Sequence, residues 1–181
     1  QIFKMWYSAG RMQEADAIGY ATSKDGIHWE KHPDNPIFTA DPDNYWEMTK
    51  VEACFVLKES DWYYMFYLAF NGDGNSAIGL ARSKDGITNW QRHPDNPIVA
   101  GTDGLWDWKG TCKASILRDE SGYLMWYNGA TAYGEQLGLA YHKGFDLFPE
   151  DMENYVPKRG VAPAFEKAYN YYYHRYNMLK E

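Results

Sequence analysis

The stretch "SKDGIHWEKHPDNPIF" occupies Ser23–Phe38, and a near copy, "SKDGITNWQRHPDNPIV", occupies Ser83–Val99. The second copy begins sixty residues after the first. Self-similarity at a fixed period is the sequence signature of a repeat architecture, in which each copy builds one structural unit. The phrase therefore predicts that the chain is assembled from repeated units.

The repetition extends beyond this phrase and includes a third copy. The matching stretches are "MWY" at Met5–Tyr7, "MFY" at Met65–Tyr67 and "MWY" at Met125–Tyr127, followed by "AIGYA" at Ala17–Ala21, "AIGLA" at Ala77–Ala81 and "LGLA" at Leu137–Ala140. In the third copy the opening phrase decays to "HKGFDLF" at His142–Phe148. The sequence thus predicts three units related by a sixty-residue period.

The second copy predicts four strands joined by polar turns. They cover Val51–Lys58, Trp62–Phe70 and Ser76–Ser83, with a last strand near Trp90. Short aromatic and β-branched runs joined by Asp-Gly turns favour an antiparallel meander. Repeated four-stranded meanders are typical of a β-propeller, so we expect an all-β fold over residues 1–148.

The outer copies look incomplete in the sequence. The first copy has no first strand and the third has no recognisable fourth strand, so we expect about ten strands, or two and a half blades. Open sheet edges are normally covered in folded proteins. We therefore expect either further blades ahead of Gln1 or a homo-oligomer that covers the edges.

The character of the sequence changes after Phe148. Residues 149–163 read as an irregular connector. Residues 164–181 then predict an amphipathic helix that starts after Pro163 and packs on the propeller or on a second subunit. Its apolar positions at helical spacing are Phe165, Ala168, Tyr169, Tyr172, Tyr176 and Leu179.

Composition argues against two classes of partner. The formal net charge is −7 and no Lys/Arg cluster is present, which disfavours nucleic acid. No apolar run approaches the ~18 residues of a membrane span. The two cysteines, Cys54 and Cys112, are too few for a disulfide framework and are expected to be buried free thiols. The compartment, whether cytoplasmic, periplasmic or extracellular, stays open.

With these motifs in view, the chain resembles a known superfamily from Ile2 to about Phe148. "MWYSAG…AIGYATSKDGIHWEKHPDNPIF" and "KASILRDESGYLMWYNGA" (Lys113–Ala130) are similar to blades of the five-bladed propeller glycosidases. That superfamily comprises glycoside hydrolase families 43, 32, 62 and 68, together with the family 130 mannoside phosphorylases. The resemblance implies a five-bladed parent, a site at the mouth of the central channel and a glycan substrate. It implies no cofactor beyond a structural calcium ion, for which this sequence spells no site.

The repeat offers an internal control on residue roles, because a residue present in each copy favours a structural role. The paired residues of the phrase are Ser23/Ser83, Asp25/Asp85, Gly26/Gly86, Trp29/Trp90, His32/His93 and Asn35/Asn96. We expect all of them to shape turns or to pack between blades.

The first strands of the second and third copies differ in their charged residues. Aligning "VEACFVL" with "CKASIL" places Glu52 opposite Lys113, and both are charges in otherwise apolar strands. Such charges are costly unless they are paired or functional. The resemblance implies that Glu52 is the general acid, while the alternative is an ion pair between Glu52 and Lys113 or Lys50.

The connectors ahead of these strands also match. "YWEMTK" (Tyr45–Lys50) pairs with "LWDWKG" (Leu105–Gly110), which aligns Trp46 with Trp106 and Glu47 with Asp107. An aromatic ring beside a carboxylate suits a sugar, although the repetition also fits an element that joins blades. We predict Trp46, Trp106, Lys113, His142 and Asp43 as substrate contacts.

Three functions follow. The first is a glycoside hydrolase acting on plant or microbial oligosaccharides, with Glu52 as acid and Asp107, or else Asp41 or Asp43, as the second carboxylate. The second is a glycan phosphorylase with a cationic pocket begun by Lys109, Lys113 and His142. The third is a carbohydrate-binding propeller without catalysis.

Overall fold

A computed structural model describes residues 1–10, 14–158 and 165–168 of the chain. These residues form thirteen β-strands and one short 3₁₀ turn at Tyr45–Glu47. The strands are β1 (Phe3–Ala9), β2 (Ala17–Ser23), β3 (Glu30–Lys31), β4 (Phe38–Thr39), β5 (Lys50–Glu59), β6 (Trp62–Phe70), β7 (Ser76–Ser83), β8 (Gln91–Arg92), β9 (Val99–Ala100), β10 (Gly110–Arg118), β11 (Gly122–Thr131), β12 (Gly134–Lys143) and β13 (Glu166–Lys167).

The strands form three antiparallel meanders that correspond to the three sequence copies. Blade one contains β1–β4, blade two β5–β9 and blade three β10–β13. In blades one and two, two short segments share the fourth-strand position on the third strand. The all-β propeller predicted from the repeat is therefore confirmed.

The sixty-residue period is visible in the strand pairing. Met5 pairs with Ala21 in blade one, and Met65 pairs with Ala81 in blade two. In blade three Met125 pairs with Ala140, because the turn between the second and third strands is one residue shorter in that copy.

The third blade has the fourth strand that the sequence analysis expected to be missing. Lys167 pairs with Ala140 there, as Arg92 pairs with Ala81 and Lys31 with Ala21. The prediction was wrong because a long insertion separates this strand from β12. The signal was present, since "FEK" at Phe165–Lys167 echoes "WEK" at Trp29–Lys31.

The same strand corrects the start of the predicted C-terminal helix. Phe165 is fully buried, with its ring centroid 5.8 Å from that of Phe66 and 5.5 Å from that of His142. The Ala168 N–H donates to the Leu139 carbonyl at 2.8 Å, which holds this segment extended along β12. The remainder of the predicted helix, residues 169–181, and Pro163 lie outside the described residues.

The core lies between adjacent blades. One cluster joins blades two and three through residues that include Phe66, Leu80, Met125 and Tyr127. A second joins blades one and two through residues that include Ile18, Phe38 and Tyr67. The inner strand β5 packs against β1 on one side and β10 on the other, so the blades stack side by side.

The repeated phrase forms the turn that its residues predict. Ser23 Oγ accepts the Gly26 N–H at 2.8 Å, and Asp25 Oδ1 accepts the N–H groups of Ile27 and His28 at 2.8 Å each. Ser83 and Asp85 make the equivalent bonds in blade two. These side chains satisfy backbone donors in a tight turn.

Both cysteines are free thiols, as predicted, but only one of them is fully buried. Cys112 is buried and Cys54 is half-buried. Burial raises the pKa of the Cys54 thiol to about 12. Across residues 1–10, 14–158 and 165–168, no helix combines the length and apolar character of a membrane span.

Candidate functional site

The candidate site lies where the inner strands of blades two and three begin. A bulge interrupts each strand near its start, and a non-glycine residue adopts the left-handed conformation there. These residues are Ala53 (φ 48°) in β5 and Lys113 (φ 56°) in β10. Left-handed non-glycine residues are uncommon and occur preferentially at functional sites. The Ala53 N–H donates to Ser8 Oγ of β1 at 2.7 Å, which ties the bulge to blade one.

Strand registers correct the alignment of the two inner strands. Glu52 pairs with Leu68 and Cys112 pairs with Asn128, so Glu52 corresponds to Cys112. Lys113 corresponds instead to Ala53, one residue further on. The two strands align without a gap, and both carry the same bulge. Glu52 and Lys113 still break the symmetry, but at neighbouring positions rather than at one position.

Glu52 is half-buried beside a lysine from its own strand. Its side chain is 22% exposed, and its Oε1 lies 3.9 Å from Lys50 Nζ. The same ammonium lies 3.2 Å from Glu14 Oε2 and 4.4 Å from the Phe70 ring centroid. The ion pair with Lys50 that the sequence left as an alternative is therefore present, and it brings a second carboxylate to the start of β5.

Lys113 has a different partner from the one expected. Its Nζ lies 2.9 Å from Glu135 Oε2 and 3.2 Å from Oε1, and Asn128 Nδ2 donates to the same Oε2 at 2.7 Å. The Asn128 hydrogen bond, followed by that of Lys113, lowers the pKa of Glu135. The hydrogen bond to Glu135 in turn raises the pKa of Lys113. The result is an exposed triad whose charges are held in place.

Cys112 is buried near the start of β10, next to Lys113 in the chain. Burial raises the pKa of its thiol above the usual value, and the carboxylates of Glu135 and Glu52 raise it further, while Lys113 opposes them. The carboxylates of Glu52 and Glu135 therefore both raise the pKa of the same buried thiol. The starts of β5, β10 and β12 together form a polar surface with carboxylates on two blades.

Glu14, Asn128 and Glu135 were not predicted from the sequence. The register places Asn128 at the position of Leu68 in blade two, and Glu135 at the position of Ser76. Comparing equivalent positions of the copies in the second and third strands, as was done for the first strands, would have found both residues. Glu14 lies in the connector between β1 and β2, where the register makes Gly74 its counterpart in blade two.

The Trp46–Glu47 pair is built into blade two. The Trp46 ring lies on Gly79, where a Cβ would come within 2.5 Å of the indole, and its centroid is 5.8 Å from that of Tyr67. Fully buried Glu47 accepts from the Tyr67 hydroxyl at 3.0 Å and from Arg92 Nε at 2.9 Å. The indole and the carboxylate thus hold the connector ahead of β5 against blade two.

Blade three repeats this arrangement with Trp106 and Asp107. The Trp106 ring lies on Gly138 and stacks on Tyr127 at 5.9 Å and 23°. Fully buried Asp107 accepts from the Tyr127 hydroxyl at 3.2 Å and pairs with Lys167 Nζ at 2.5 Å. We call each such pair a Trp–acid joint. Its geometry favours the blade-joining alternative for Trp46 and Trp106, and removes Asp107 from the solvent that a catalytic carboxylate needs.

The other two predicted contacts lie away from the starts of the inner strands. Asp43 is exposed in the first connector, where its N–H donates to Asp41 Oδ1 at 3.1 Å. His142 pairs with Tyr123 at the far end of β12, whereas Glu135 pairs with Ala130 at the near end. His142 is half-buried against Phe165, with Nε2 3.7 Å from Asp146 Oδ1. The structure does not bring His142 and Lys113 together.

Comparison with known sequences gives limited information. No protein-family model matches the chain. The chain is 32% identical over 113 residues to the uncharacterized protein Rv1502 of Mycobacterium tuberculosis (strain ATCC 25618 / H37Rv). That alignment covers 58% of this chain and 35% of the relative. The chain thus spans about a third of the curated relative that it matches.

Comparison with solved structures identifies the architecture. Zg3597, a family 117 glycoside hydrolase of the marine bacterium Zobellia galactanivorans, matches with a TM-score of 0.62 at 21% identity, over 83% of this chain and 40% of that one. A thermostable family-43 glycoside hydrolase matches at 0.57 and 19%, over 78% and 45%. The β-1,2-mannobiose phosphorylase of Listeria innocua, solved with β-1,2-mannobiose, matches at 0.57 and 20%, over 78% and 37%. The chain therefore shares its fold, a β-propeller, with these solved structures.

Proposed function

We propose that this chain forms part of a glycoside hydrolase, with its site at the starts of β5, β10 and β12. The observation that carries the proposal is a pair of carboxylates, Glu14 and Glu52, on either side of the Lys50 ammonium. Their distances from Lys50 Nζ put the two oxygens at most about 7 Å apart, which does not exceed the ~9.5 Å upper limit for glycosidase carboxyl pairs. The superfamily fold supports the same function.

Glu52 is the proposed general acid. It is the less exposed of the two carboxyls, with 22% of its side chain exposed against 82% for Glu14. In the proposed step the Glu52 carboxyl protonates the glycosidic oxygen as the bond to the anomeric carbon breaks. Glu14 takes a proton from the water that attacks that carbon, so the sugar gains OH and the leaving group gains H.

The triad of Lys113, Asn128 and Glu135 is the proposed platform for sugar hydroxyls. An ionised carboxylate accepts hydroxyl protons, and the ammonium and amide groups donate to hydroxyl oxygens. Charge-assisted hydrogen bonds of this kind are stronger than neutral ones. Because the Lys113 ammonium already balances the charge of Glu135, the triad suits an uncharged oligosaccharide.

The phosphorylase alternative receives less support from the same residues. Phosphate recognition needs converging cations. Lys113 is paired with Glu135, and His142 lies at the opposite end of β12. A hydrolytic site is therefore favoured over a phosphorolytic one.

The test uses aryl glycosides with leaving groups of graded acidity. We expect Glu52→Gln to slow hydrolysis of poorly activated substrates roughly 10²–10⁴-fold, and that of dinitrophenyl substrates much less, since these need no proton donor. Circular dichroism should show an unchanged fold. The matched control is Glu120→Gln, an exposed glutamate in the turn at the far end of blade three.

Two results would contradict the proposal. Full activity of Glu52→Gln on every substrate would remove Glu52 from the reaction. Tight glycan binding by the wild-type protein without turnover of any glycoside would make the propeller a binding module instead.

A further inference from the structure

Blades two and three receive their Trp–acid joints in a similar way, with a glycine under the indole and with a tyrosine and a cation on the carboxylate; in blade three these are Gly138, Tyr127 and Lys167. In blade two the receiving residues are Gly79 under the indole, Tyr67 and Arg92 on the carboxylate, and Asn96, whose Nδ2 donates to the Tyr67 hydroxyl at 3.1 Å. The asparagine supplies a donor to the phenol oxygen, so the phenol proton is left for the carboxylate. This arrangement selects an anionic partner.

Blade one carries the same receiving groups. Asn35 Nδ2 donates to the Tyr7 hydroxyl at 3.1 Å, and a Cβ on Gly19 would meet the Tyr7 ring at 2.6 Å, as one on Gly79 would meet Tyr67. Lys31 pairs with Ala21, in the register that Arg92 has with Ala81. We call Tyr7, Gly19, Lys31 and Asn35 the blade-one socket.

Within the part of the chain that the structure describes, no tryptophan or carboxylate fills this socket. Lys31 is exposed and has no ion pair there, whereas its counterparts Arg92 and Lys167 each pair with a buried acid. The Tyr7 hydroxyl accepts from Asn35 and retains its own proton for donation. The blade-one socket thus offers a cation (Lys31), a hydroxyl donor (Tyr7) and room for a ring over Gly19, which are the groups that bind the joints in the other blades.

We infer that the blade-one socket binds a peptide connector in which tryptophan is followed directly by Asp or Glu, and which leads into a strand beside β1. The acid is required because the Lys31 ammonium and the Tyr7 hydroxyl proton both favour an anionic group. The indole is required because Gly19 leaves room for a ring at the position that Trp46 and Trp106 occupy in the other two blades. The identical use of Trp46–Glu47 and Trp106–Asp107 fixes the order of the two residues.

The test is a chain in which residues 41–60 are duplicated directly before Gln1. This preserves the sixty-residue period, so the copy of Glu47 reaches Lys31 and Tyr7. We expect the melting temperature of the duplicated chain to fall by roughly 3–6 °C when the copy of Glu47 is changed to Gln, or the copy of Trp46 to Ala. The Lys31→Met change should lower it in the duplicated chain and have a much smaller effect once the copied glutamate is gone. Lys24→Met, at an exposed lysine in the same blade, is the control.

A second measurement does not depend on stability. Reductive methylation of Lys31, followed by mass spectrometry, should slow at least fivefold in the duplicated chain, and should recover when the copied glutamate is changed to Gln. If Lys31 reacts equally fast in all chains, or if Lys31 and the copied glutamate act independently on the melting temperature, the inference is wrong.

Discussion

Lys167 Nζ lies 2.5 Å from Asp107 Oδ2, and both side chains are almost fully withdrawn from solvent, at 7% and 0% exposure. Sixty residues separate them in the chain. Their ion pair ties the connector ahead of blade three to the strand that closes the same blade. Arg92 and Glu47 form the equivalent pair in blade two.

Removing one member of this pair should be costly. We expect Lys167→Met to lower the free energy of unfolding by about 3–5 kcal/mol, because a buried Asp107 carboxylate would be left without its cation. Chemical denaturation would measure the change. The control is Lys113→Met at an exposed ion pair, for which we expect about 1 kcal/mol or less. Equal effects of the two substitutions would contradict the buried role of Lys167.

Phe165 provides a separate test of the closing strand. Its side chain is fully buried against Phe66 and His142, so Phe165→Ala should destabilise the protein by about 3–5 kcal/mol. Phe145→Ala, which truncates an exposed phenylalanine, should cost far less. If the two variants unfold at the same denaturant concentration, Phe165 is not part of the core.

His93 should make stability depend on pH. Burial lowers the pKa of its imidazole to about 4, and Arg82 and His142 act in the same direction. Between about pH 6.5 and 4 the unfolded chain binds this proton and the folded chain does not, so stability falls as the pH drops through that window. The loss for this group is on the order of 3 kcal/mol.

Replacing His93 separates this effect from general acid unfolding. His93→Gln should flatten the stability profile between pH 6.5 and 4, as measured by denaturation at a series of pH values. His32→Gln changes the equivalent residue of blade one, which is more exposed, and should leave the profile nearly unaltered. A wild-type profile in His93→Gln would show that other groups cause the slope.

Glu135 should control affinity rather than stability. Glu135→Gln keeps the shape of the side chain but removes the charge that Lys113 and Asn128 hold in place. We expect roughly tenfold weaker binding of a neutral oligosaccharide, with little change in melting temperature, because the triad is exposed. Calorimetric titration would measure it, with Glu30→Gln in blade one as the control. Unchanged affinity would remove the triad from the sugar platform.

The sequence was a good guide to the fold wherever two copies could be compared. Ser23 and Ser83, or Met65 and Met125, repeat at the same spacing, and the period carries the strand pattern with it. It failed at Phe165–Lys167, because the insertion breaks the spacing and the aromatic-rich tail has helical periodicity of its own. Pairing with β12 and burial of Phe165 override that local preference.

The candidate site was less accessible from sequence. Charge in an apolar strand pointed to Glu52 and Lys113, but a repeated bulge shifted their alignment by one residue. The partners of these residues come from other strands, namely Asn128 and Glu135, or from the connector that holds Glu14. Only the register of neighbouring strands brings such residues together. Trp106 and Asp107 looked suited to sugar, and their burial beside Tyr127 could not be seen from composition.

The long insertion ahead of β13 affects the order in which the blades can complete their sheets. In blade two, eleven residues separate Ala81 from Arg92, whereas twenty-seven separate Ala140 from Lys167. Closing the longer loop costs about 0.8 kcal/mol more in chain entropy. During synthesis, blades one and two can close while the ribosome is still adding residues to blade three. The last blade therefore depends on a distant strand, in which Lys167 both completes the sheet and neutralises Asp107.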